Sequence, residues 1–345
     1  MVVTSDEWCF LEIGIPTYNR SRKLSRLLTI LEQETVTVSA DIKIRITVSD
    51  NHSTDETQTM LQQHAIRDKI MVRANPENVG ALRNIWGLYE TVRADYVWII
   101  GDDDIPKPGS LQKIVDTLVR YKPTVLTFEF EQPPGAAPER HGERTGIEDL
   151  TDLHEAIPQV LVLGKLTKQV FSAKQLEAAL QNVFYSRDTG YGWLLVILEV
   201  IWLASSPKIV IDHDFLASCD QDYAQITEGL TPQFWEDYLL LLDHEIVKVN
   251  CPEYAQRYRY RHYSYMVQII YAVLAGGVQS TDNQVFREKC KKLPFHISYL
   301  RNPFVFFQWV SLRLEIPASL IICRMTEYPG KVKRILFSRL RKQIA

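Results

Sequence analysis

The first 130 residues alternate short apolar runs with segments of helical spacing, and this alternation constrains the fold most strongly. The apolar runs typical of strands are residues 10–15, 42–48, 70–72, 96–100 and 125–130. Between them, leucines recur at helical spacing, as in residues 21–32. Strands that alternate with helices in this way form parallel sheets covered by helices. The sequence therefore predicts an α/β fold with a three-layer, mostly parallel central sheet.

Beyond residue 130 the pattern changes. Residues 132–146 hold three prolines and three glycines, which predicts a loop. The sequence then becomes mostly helical, one strand at residues 208–211 is expected to rejoin the sheet, and only helices are expected from about Thr231 onward. We therefore expect an α/β domain at residues 1–215, divided near residue 130, and a helical C-terminal region at residues 216–345.

Composition and charge exclude several classes of protein. The net charge of −3 provides no basic field for nucleic acid. The five cysteines are an odd number, widely spaced and without a CxxC pair, which argues against a disulfide framework or a zinc site. The N-terminus lacks the pattern of a signal peptide, and the longest apolar stretch, Trp193 to Ala204, is too short to span a bilayer. These features predict a cytoplasmic protein.

An acidic run, Gly101-Asp102-Asp103-Asp104, directly follows the apolar run at residues 96–100. In open parallel sheets, ligands bind outside the carboxyl ends of the strands. Because side chains alternate in an extended segment, we expect Asp102 and Asp104 to point the same way. Two converging carboxylates repel unless a cation lies between them, and hard oxygen ligands suit Mn²⁺ or Mg²⁺. The alternative is a solvated acidic turn that caps the next helix.

Two further polar segments follow predicted strands. Asp50 ends the strand at residues 42–48 and could accept a hydrogen bond from a pyrimidine N–H, or it could bond its own turn. After the first strand, Tyr18 could stack on a base, Thr17 and Asn19 could bond the edge of the base, and Arg20 could meet phosphate. The alternative for this segment is a strand-to-helix turn with a helix N-cap.

A fourth segment is the turn Asn78-Val79-Gly80, followed by Arg83. A guanidinium suits a diphosphate, although a surface arginine is the alternative. All four segments lie at, or just after, strand carboxyl ends of one α/β unit. Because four independent coincidences are needed to explain them otherwise, we interpret them together as one nucleotide-binding edge.

The segments IPTYNR, VSDNHSTDET, NPENVGALRN and ADYVWIIGDDD, in this order and spacing, resemble the donor half of family 2 glycosyltransferases, which have the Rossmann-like GT-A fold. The triple aspartate is most similar to the abequosyltransferase-like subgroup of bacterial surface-polysaccharide enzymes, of the O-antigen or capsule type. The resemblance covers residues 10 to about 130 well. It implies a metal-dependent hexosyl- or deoxyhexosyltransferase that takes its sugar from a nucleotide diphosphate sugar.

The resemblance also implies roles for single residues. Asp50 is expected to contact the nucleobase, Asp102 to lie near the ribose and the metal, and Asp104 to bind the Mn²⁺ or Mg²⁺ ion. The donor site implied in this way comprises Pro16, Thr17, Tyr18, Asn19, Arg20, Asp50, Asn78, Gly80, Arg83, Asp102 and Asp103.

In the acceptor half, residues 131–215, the family implies a carboxylate base and inversion at the anomeric carbon. The comparable stretch here is RDTGYGW, and Asp188 is the predicted base that takes the proton of the acceptor hydroxyl. A helix N-cap is the alternative for Asp188. The chain departs from the subgroup at Trp193, where a histidine is common. His213 and Asp214 are weaker candidates for the base.

The C-terminus suggests a membrane surface. Residues 303–323 are apolar but interrupted by charges and proline, and residues 331–342 contain six basic and no acidic side chains. Such a pair of segments favours lying on an anionic bilayer. The alternatives are packing on the main domain or in an oligomer interface. A position on the inner face of the cytoplasmic membrane would suit a saccharide acceptor carried on polyprenyl diphosphate, which the resemblance also implies.

Two other functions remain as alternatives. A nucleotidyltransferase that makes the sugar nucleotide generally has a glycine-rich loop after its first strand, whereas PTYNRSRK contains no glycine. A non-catalytic protein that binds only nucleotide sugar or membrane would not need both Asp102 and Asp104. The sequence leaves open the donor base, the sugar, the acceptor and the oligomeric state.

Overall fold

A computed structural model provides the structure of the protein and describes residues 8–64, 70–131, 145–162, 166–219 and 240–256. The chain divides into two compact units. The first comprises Met1–Gly229 and Leu240–Pro252, and the second comprises Leu230–Leu239 and Glu253–Ala345. The apolar and basic C-terminal segments at residues 303–323 and 331–342 lie outside the described residues.

Four parallel strands form one half of the sheet, in the order β3-β2-β1-β4. They are β1 (Cys9–Thr17), β2 (Ile44–Asp50), β3 (Ile70–Ala74) and β4 (Ala94–Ile99). The central strands β1 and β4 are buried along most of their length, as expected of parallel strands covered on both faces. The predicted α/β fold with a mostly parallel sheet is confirmed.

Helices connect these strands and carry the apolar faces that the sequence predicts. They are α1 (Ser21–Thr37), α2 (Thr57–Gln63), α3 (Ala81–Thr91) and α4 (Ser110–Tyr121). The four leucines of α1 that share one helical face, Leu24, Leu27, Leu28 and Leu31, are fully buried in the core against the sheet. Helix α1 also fixes the start of α4, because the Glu34 carboxylate accepts hydrogen bonds from the backbone N–H groups of Gly109 (2.9 Å) and Leu111 (3.1 Å).

The other half of the sheet is mixed. It contains β5 (Asp104–Pro106), β6 (Val125–Glu131), β7 (Ile147–Leu150), β8 (Gln169–Ser172) and β9 (Ile209–Cys219). Strand β8 lies antiparallel between β4 and β6, whereas β9 runs parallel to β6 and antiparallel to β5 and β7. The strand predicted at residues 208–211 does rejoin the sheet, but β5, β7 and β8 were not predicted.

The remaining helices are α5 (Leu153–Val162), α6 (Leu176–Asn182), α7 (Gly192–Leu203) and α8 (Glu245–Asn250). Helix α7 is apolar and mostly buried, and its one acidic residue, Glu199, accepts hydrogen bonds from Asn182 (2.7 Å) and pairs with His244 (2.9 Å). No helix in the described parts of the chain is both long and apolar enough to cross a membrane.

Strand β1 and helix α2 differ locally from the simplest interpretation of the sequence pattern. Strand β1 continues through Pro16 instead of ending there, because its pairing with β4 stops at Gly14 and Pro16 has only β2 as a neighbour. Neither Ser53 nor Thr54 caps α2. Asp55 instead accepts hydrogen bonds from the backbone N–H (2.9 Å) and hydroxyl (2.5 Å) of Thr57.

Candidate active site

The carboxyl ends of β1, β2 and β4 bring the predicted polar segments to one edge of the sheet. Thr17 and Asp50 are paired in register at the last positions of β1 and β2. The N–H of Asn51 then donates to the Thr17 carbonyl at 2.9 Å, and the N–H of Ile100 donates to the Gly14 carbonyl at 3.0 Å. The chain after each of these strands therefore starts from neighbouring positions, where ligands of open α/β sheets bind.

The acidic run after β4 is a turn. The N–H of Asp104 donates to the Gly101 carbonyl at 3.0 Å, and Asp102 and Asp103 occupy the corner. The alternation expected for an extended segment is therefore wrong, and Asp102 and Asp104 have different partners. Their shared ligation of one metal ion stays a prediction.

Asp102 is almost fully buried and joins the turn to the segment after β1. Its carboxylate accepts hydrogen bonds from the Thr17 hydroxyl (2.8 Å) and from Nη1 of Arg20 (2.9 Å). The same Arg20 nitrogen donates to Asp103 Oδ2 at 2.8 Å. Burial raises the pKa of Asp102 above its ordinary value, and the attraction of Arg20 offsets only part of this effect. The structure thus connects two segments that the sequence places 82 residues apart.

Asp104 is held from the other side by Thr167, which the sequence did not single out. The Thr167 hydroxyl donates to the Asp104 carboxylate and accepts a hydrogen bond from the Gly101 N–H at 3.1 Å. Thr167 lies in a short 3-10 turn before β8, 63 residues from Asp104. No spacing in the sequence could have revealed the contact.

The oxygen ligands of this turn fit Mn²⁺ or Mg²⁺. A Cβ placed on Gly101 would lie 3.0 Å from Asp103 Oδ1 and 3.0 Å from Asp104 Oδ2. These two oxygens therefore border one small space that glycine leaves open. Among the described residues, no three histidine, cysteine or acidic side chains are placed to hold a metal ion together. Mg²⁺ in proteins usually takes one or two carboxylates and completes its shell with water and phosphate oxygens.

The nucleobase end of the predicted site is partly committed to its own loops. Asp50 is fully buried, and its carboxylate accepts from the Ser53 N–H (3.0 Å) and the Gln58 amide (3.3 Å). Asn19 has a left-handed φ of 53°, and its Oδ1 accepts from the Thr54 N–H at 2.7 Å. The interpretation of Asn19 as a contact to the base edge is therefore wrong for that oxygen. Tyr18 is 41% exposed, as stacking on a base requires.

Asparagine side chains join the end of β2 to the turn before α3. The Asn51 amide donates to Asn78 Oδ1 at 2.7 Å, and Asn51 Oδ1 accepts from the Val79 N–H at 3.0 Å. Gly80 follows with a φ of 85°, a conformation that favours glycine. Asn78 and Gly80 thus shape the segment that leads into α3, and their contact with the donor stays a prediction. Asn51 was missed, although its position directly after Asp50 was a usable signal.

Arg83 and Asp188 meet across two segments of the first unit. Nε and Nη2 of Arg83 donate to the two carboxylate oxygens of Asp188, the second at 2.9 Å. Nε of Arg187 lies 3.7 Å from the same carboxylate. The hydrogen bond from Arg83 is the main reason that the pKa of Asp188 lies below its ordinary value. We call Arg83, Arg187 and Asp188 the rim cluster.

The weaker candidates for the base are held by structural contacts. Both belong to β9 and do not follow it. His213 Nε2 lies 3.5 Å from Glu148 Oε2, and Lys113 donates to Asp214 (2.5 Å) and to the buried Asp212 (2.8 Å). These contacts tie β9 to β7 and α4.

A cavity of about 1060 Å³ opens at the opposite edge of the sheet. Its lining includes Phe10 near the start of β1 and Ala94 at the start of β4, together with side chains of α3 and α6. None of the predicted site residues lines this cavity. It is therefore separate from the edge where the polar segments converge.

Comparison with known proteins places these features in a family. The sequence profile of Glycosyl transferase family 2 matches residues 12–161. A curated relative, abequosyltransferase RfbV of Salmonella typhimurium (strain LT2), is 35% identical over 99 residues, which are 28% of this chain and 29% of RfbV. The matched part is thus less than a third of the length of that relative.

Solved structures share the fold. TarS of S. aureus (residues 1–349) has a TM-score of 0.53 at 13% identity and covers 97% of this chain and 92% of its own. The mannosyltransferase PcManGT of Pyrobaculum calidifontis, in complex with GDP-Man and Mn²⁺, has a TM-score of 0.51 at 11% identity, with 90% and 88% covered. At these identities the likeness shows the fold alone. Together with the profile match, it shows that residues 12–161 belong to Glycosyl transferase family 2 and that the chain has a GT-A-like fold.

Proposed function

We propose that the chain transfers a sugar from a nucleotide diphosphate donor to a saccharide acceptor, with Mn²⁺ or Mg²⁺ at the Gly101–Asp104 turn. The observation that carries the proposal is the junction at Asp102. There, Thr17 and Arg20 from the end of β1 meet the acidic turn from the end of β4. This junction brings the Arg20 guanidinium, the three carboxylates of the acidic turn and the small space at Gly101 to one edge of the sheet.

The residues of this edge divide the work by their chemistry. Tyr18 offers an exposed ring for the base, and Asp50 offers a buried carboxylate beside it. Asp102 positions Arg20, whose half-exposed guanidinium is suited to phosphate oxygens. Asp103 and Asp104 would hold the divalent ion, which when bound neutralises the charge of the departing diphosphate. The sequence also predicts Asp102 as a ligand of this ion, in addition to Asp104.

The donor class is supported by the relatives. TarS of S. aureus has been solved with UDP-GlcNAc and PcManGT with GDP-Man. Both are nucleotide diphosphate sugars, although they differ in base and in sugar. We extend that class of donor to this chain.

For the acceptor we propose a polyprenyl-diphosphate-linked saccharide of a bacterial surface polysaccharide, with inversion at the anomeric carbon and Asp188 as base. The match to an abequosyltransferase and the basic C-terminal segment support this. Strand β9 continues to Cys219, so the expected boundary at residue 215 falls inside the sheet. We therefore propose that the first unit, Met1–Gly229 and Leu240–Pro252, is the catalytic domain and that the C-terminal basic segment holds the chain at the membrane surface.

A donor screen tests the proposed function. The full-length chain is heated with UDP-, GDP-, CDP- and dTDP-sugars, with and without Mn²⁺, and the melting temperature is recorded. One nucleotide series is expected to raise the melting temperature only with the metal, because a bound ligand stabilises the folded state. The same donor should then release nucleoside diphosphate during incubation with the enzyme. A chain that neither binds nor turns over any of these donors would contradict the proposal.

A further inference from the structure

The rim cluster has an excess of positive charge. It contains two guanidinium groups and one carboxylate, and the three side chains are 38 to 51% exposed. Arg83 stands in the first turn of α3, directly after the turn that Asn78 ties to Asn51 at the end of β2. We call the edge at the carboxyl ends of β1, β2 and β4 the donor edge. The rim cluster therefore lies beside the donor edge and is open to solvent.

The backbone that carries Asp188 is firmly held. The Ser186 carbonyl accepts hydrogen bonds from the N–H (2.9 Å) and the hydroxyl (2.8 Å) of Thr189. A Cβ on Gly192 would lie 2.3 Å from the same carbonyl, so this close approach requires glycine. Phe184 packs edge-on against Trp86 of α3, with ring centroids 6.3 Å apart. These contacts fix the backbone on both sides of Asp188, whereas the charged side chains of the rim cluster are exposed.

Arg187 is also pre-positioned. Its guanidinium lies 4.2 Å from the centroid of the Phe184 ring, an arrangement that stabilises a cation without using its hydrogen-bond donors. The packing on Phe184 therefore leaves the N–H donors of Arg187 for contact with an anion.

We propose that Asp188 acts as a latch that holds Arg83 and Arg187 until a diphosphate displaces it. A diphosphate carries more charge and more acceptor oxygens than a carboxylate, and exposed ion pairs are weak enough to exchange. The displaced carboxylate then loses the arginine contact that keeps its pKa low. Donor binding would in this way prepare the proposed base. The inference rests on the proposed function for the identity of the diphosphate.

Pyrophosphate binding tests the latch without knowledge of the donor base. Calorimetry on the full-length chain, in metal-free buffer at fixed ionic strength, compares the wild type with Asp188→Asn. We expect the variant to bind pyrophosphate about two- to five-fold more tightly, because it removes the competing carboxylate from a weak exposed pair. Unchanged or weaker binding would overturn the latch.

Two control variants separate the latch from a general effect of charge. Glu90→Gln removes one exposed negative charge from the same helix as Arg83. Its gain in pyrophosphate affinity should be clearly smaller than that of Asp188→Asn. In an Arg83→Gln background, the gain from Asp188→Asn should largely disappear. An equal gain in Glu90→Gln, or a full gain without Arg83, would contradict the proposal.

Three more ligands distinguish the source of the diphosphate. A gain with UDP or GDP assigns the latch to the donor, whereas a gain only with geranyl diphosphate assigns it to the carrier of the acceptor. The donor screen remains an independent test. A chain without any donor turnover would refute the proposed function, while the pyrophosphate comparison would still decide the latch.

Discussion

The donor edge contains buried carboxylates, whereas the charged groups of the rim cluster are exposed. At the donor edge, the carboxylates of Asp50 and Asp102 are buried and each oxygen accepts a hydrogen bond. In the rim cluster, Arg83 and Asp188 are each 51% exposed and are joined only by their charged ends. Buried and satisfied groups hold one geometry, whereas exposed pairs can change partners. The comparison separates a preorganised site from an exchangeable one.

The largest expected effect is on turnover. Asp102→Asn should lower kcat/KM for the donor by about 100-fold or more, because Arg20 loses its charged anchor and a small misplacement is costly in catalysis. Steady-state kinetics with the donor found in the screen measure this effect. The matched control is Asp95→Asn, an exposed carboxylate at the opposite end of β4, which should remain close to wild type. Equal kcat/KM values in the two variants would contradict a special role for the carboxyl end of β4.

A smaller effect is expected on stability. Asn84 is buried behind the donor edge, where its Oδ1 accepts from the Ser49 hydroxyl (2.6 Å) and the Asn75 amide (2.9 Å). Asn84→Leu leaves the Ser49 hydroxyl without this acceptor and the Ser49 carbonyl without its donor. The Asn75 amide, in contrast, keeps its bond to Asn51. The free energy of unfolding should fall by about 2–3 kcal/mol. Urea denaturation measures this change. Asp188→Asn, in the exposed region, should unfold at the wild-type midpoint, and an equal loss in both variants would break the comparison.

The smallest expected effect is on the pH dependence of stability. Burial lowers the pKa of His244 below its ordinary 6.5, although the attraction of Glu199 and Glu245 partly opposes this shift. The unfolded chain then binds more protons, so stability is lost as the pH falls below 6.5 toward the lowered value. His244→Gln should flatten this slope in urea midpoints measured from pH 7 to pH 5. An unchanged slope would show that another group is responsible.

Asp188 should affect stability only at lower pH than His244 does. Its pKa is lowered from 3.8, so any stability it contributes is present above pH 3.8 and is lost only below it. If Asp188→Asn changed the slope of the urea midpoints between pH 5 and pH 7, this assignment of the two pH ranges would be contradicted.

Much of the fold could be predicted because its signals are local. The leucines of α1 and the apolar run of β4 follow the periods of a helix and of a strand buried on both faces, and both elements formed as expected. Strand β8 gave no comparable signal. It has four residues, follows a 3-10 turn and forms only by pairing with β4 and β6. Long-range pairing of this kind leaves no trace in a short window of sequence.

The site divides in the same way. The positions of Asp50 and Asp102 at strand ends followed from the order of the elements. Their side-chain partners did not, because Gly101 to Asp104 folds as a turn and not as an extended segment. The contacts of Asp104 with Thr167 and of Arg83 with Asp188 each span more than 60 residues. Such contacts depend on the packed tertiary structure.

The most direct test of the account is donor turnover by Asp104→Ala in the presence of Mn²⁺. The acidic turn is proposed to hold the ion that binds the diphosphate, so removal of this carboxylate should lower turnover by at least about 100-fold and raise the Mn²⁺ concentration needed for half-maximal rate. The melting temperature of the variant, measured without ligand, controls for folding. Full turnover with the same dependence on Mn²⁺ would contradict the proposed metal site.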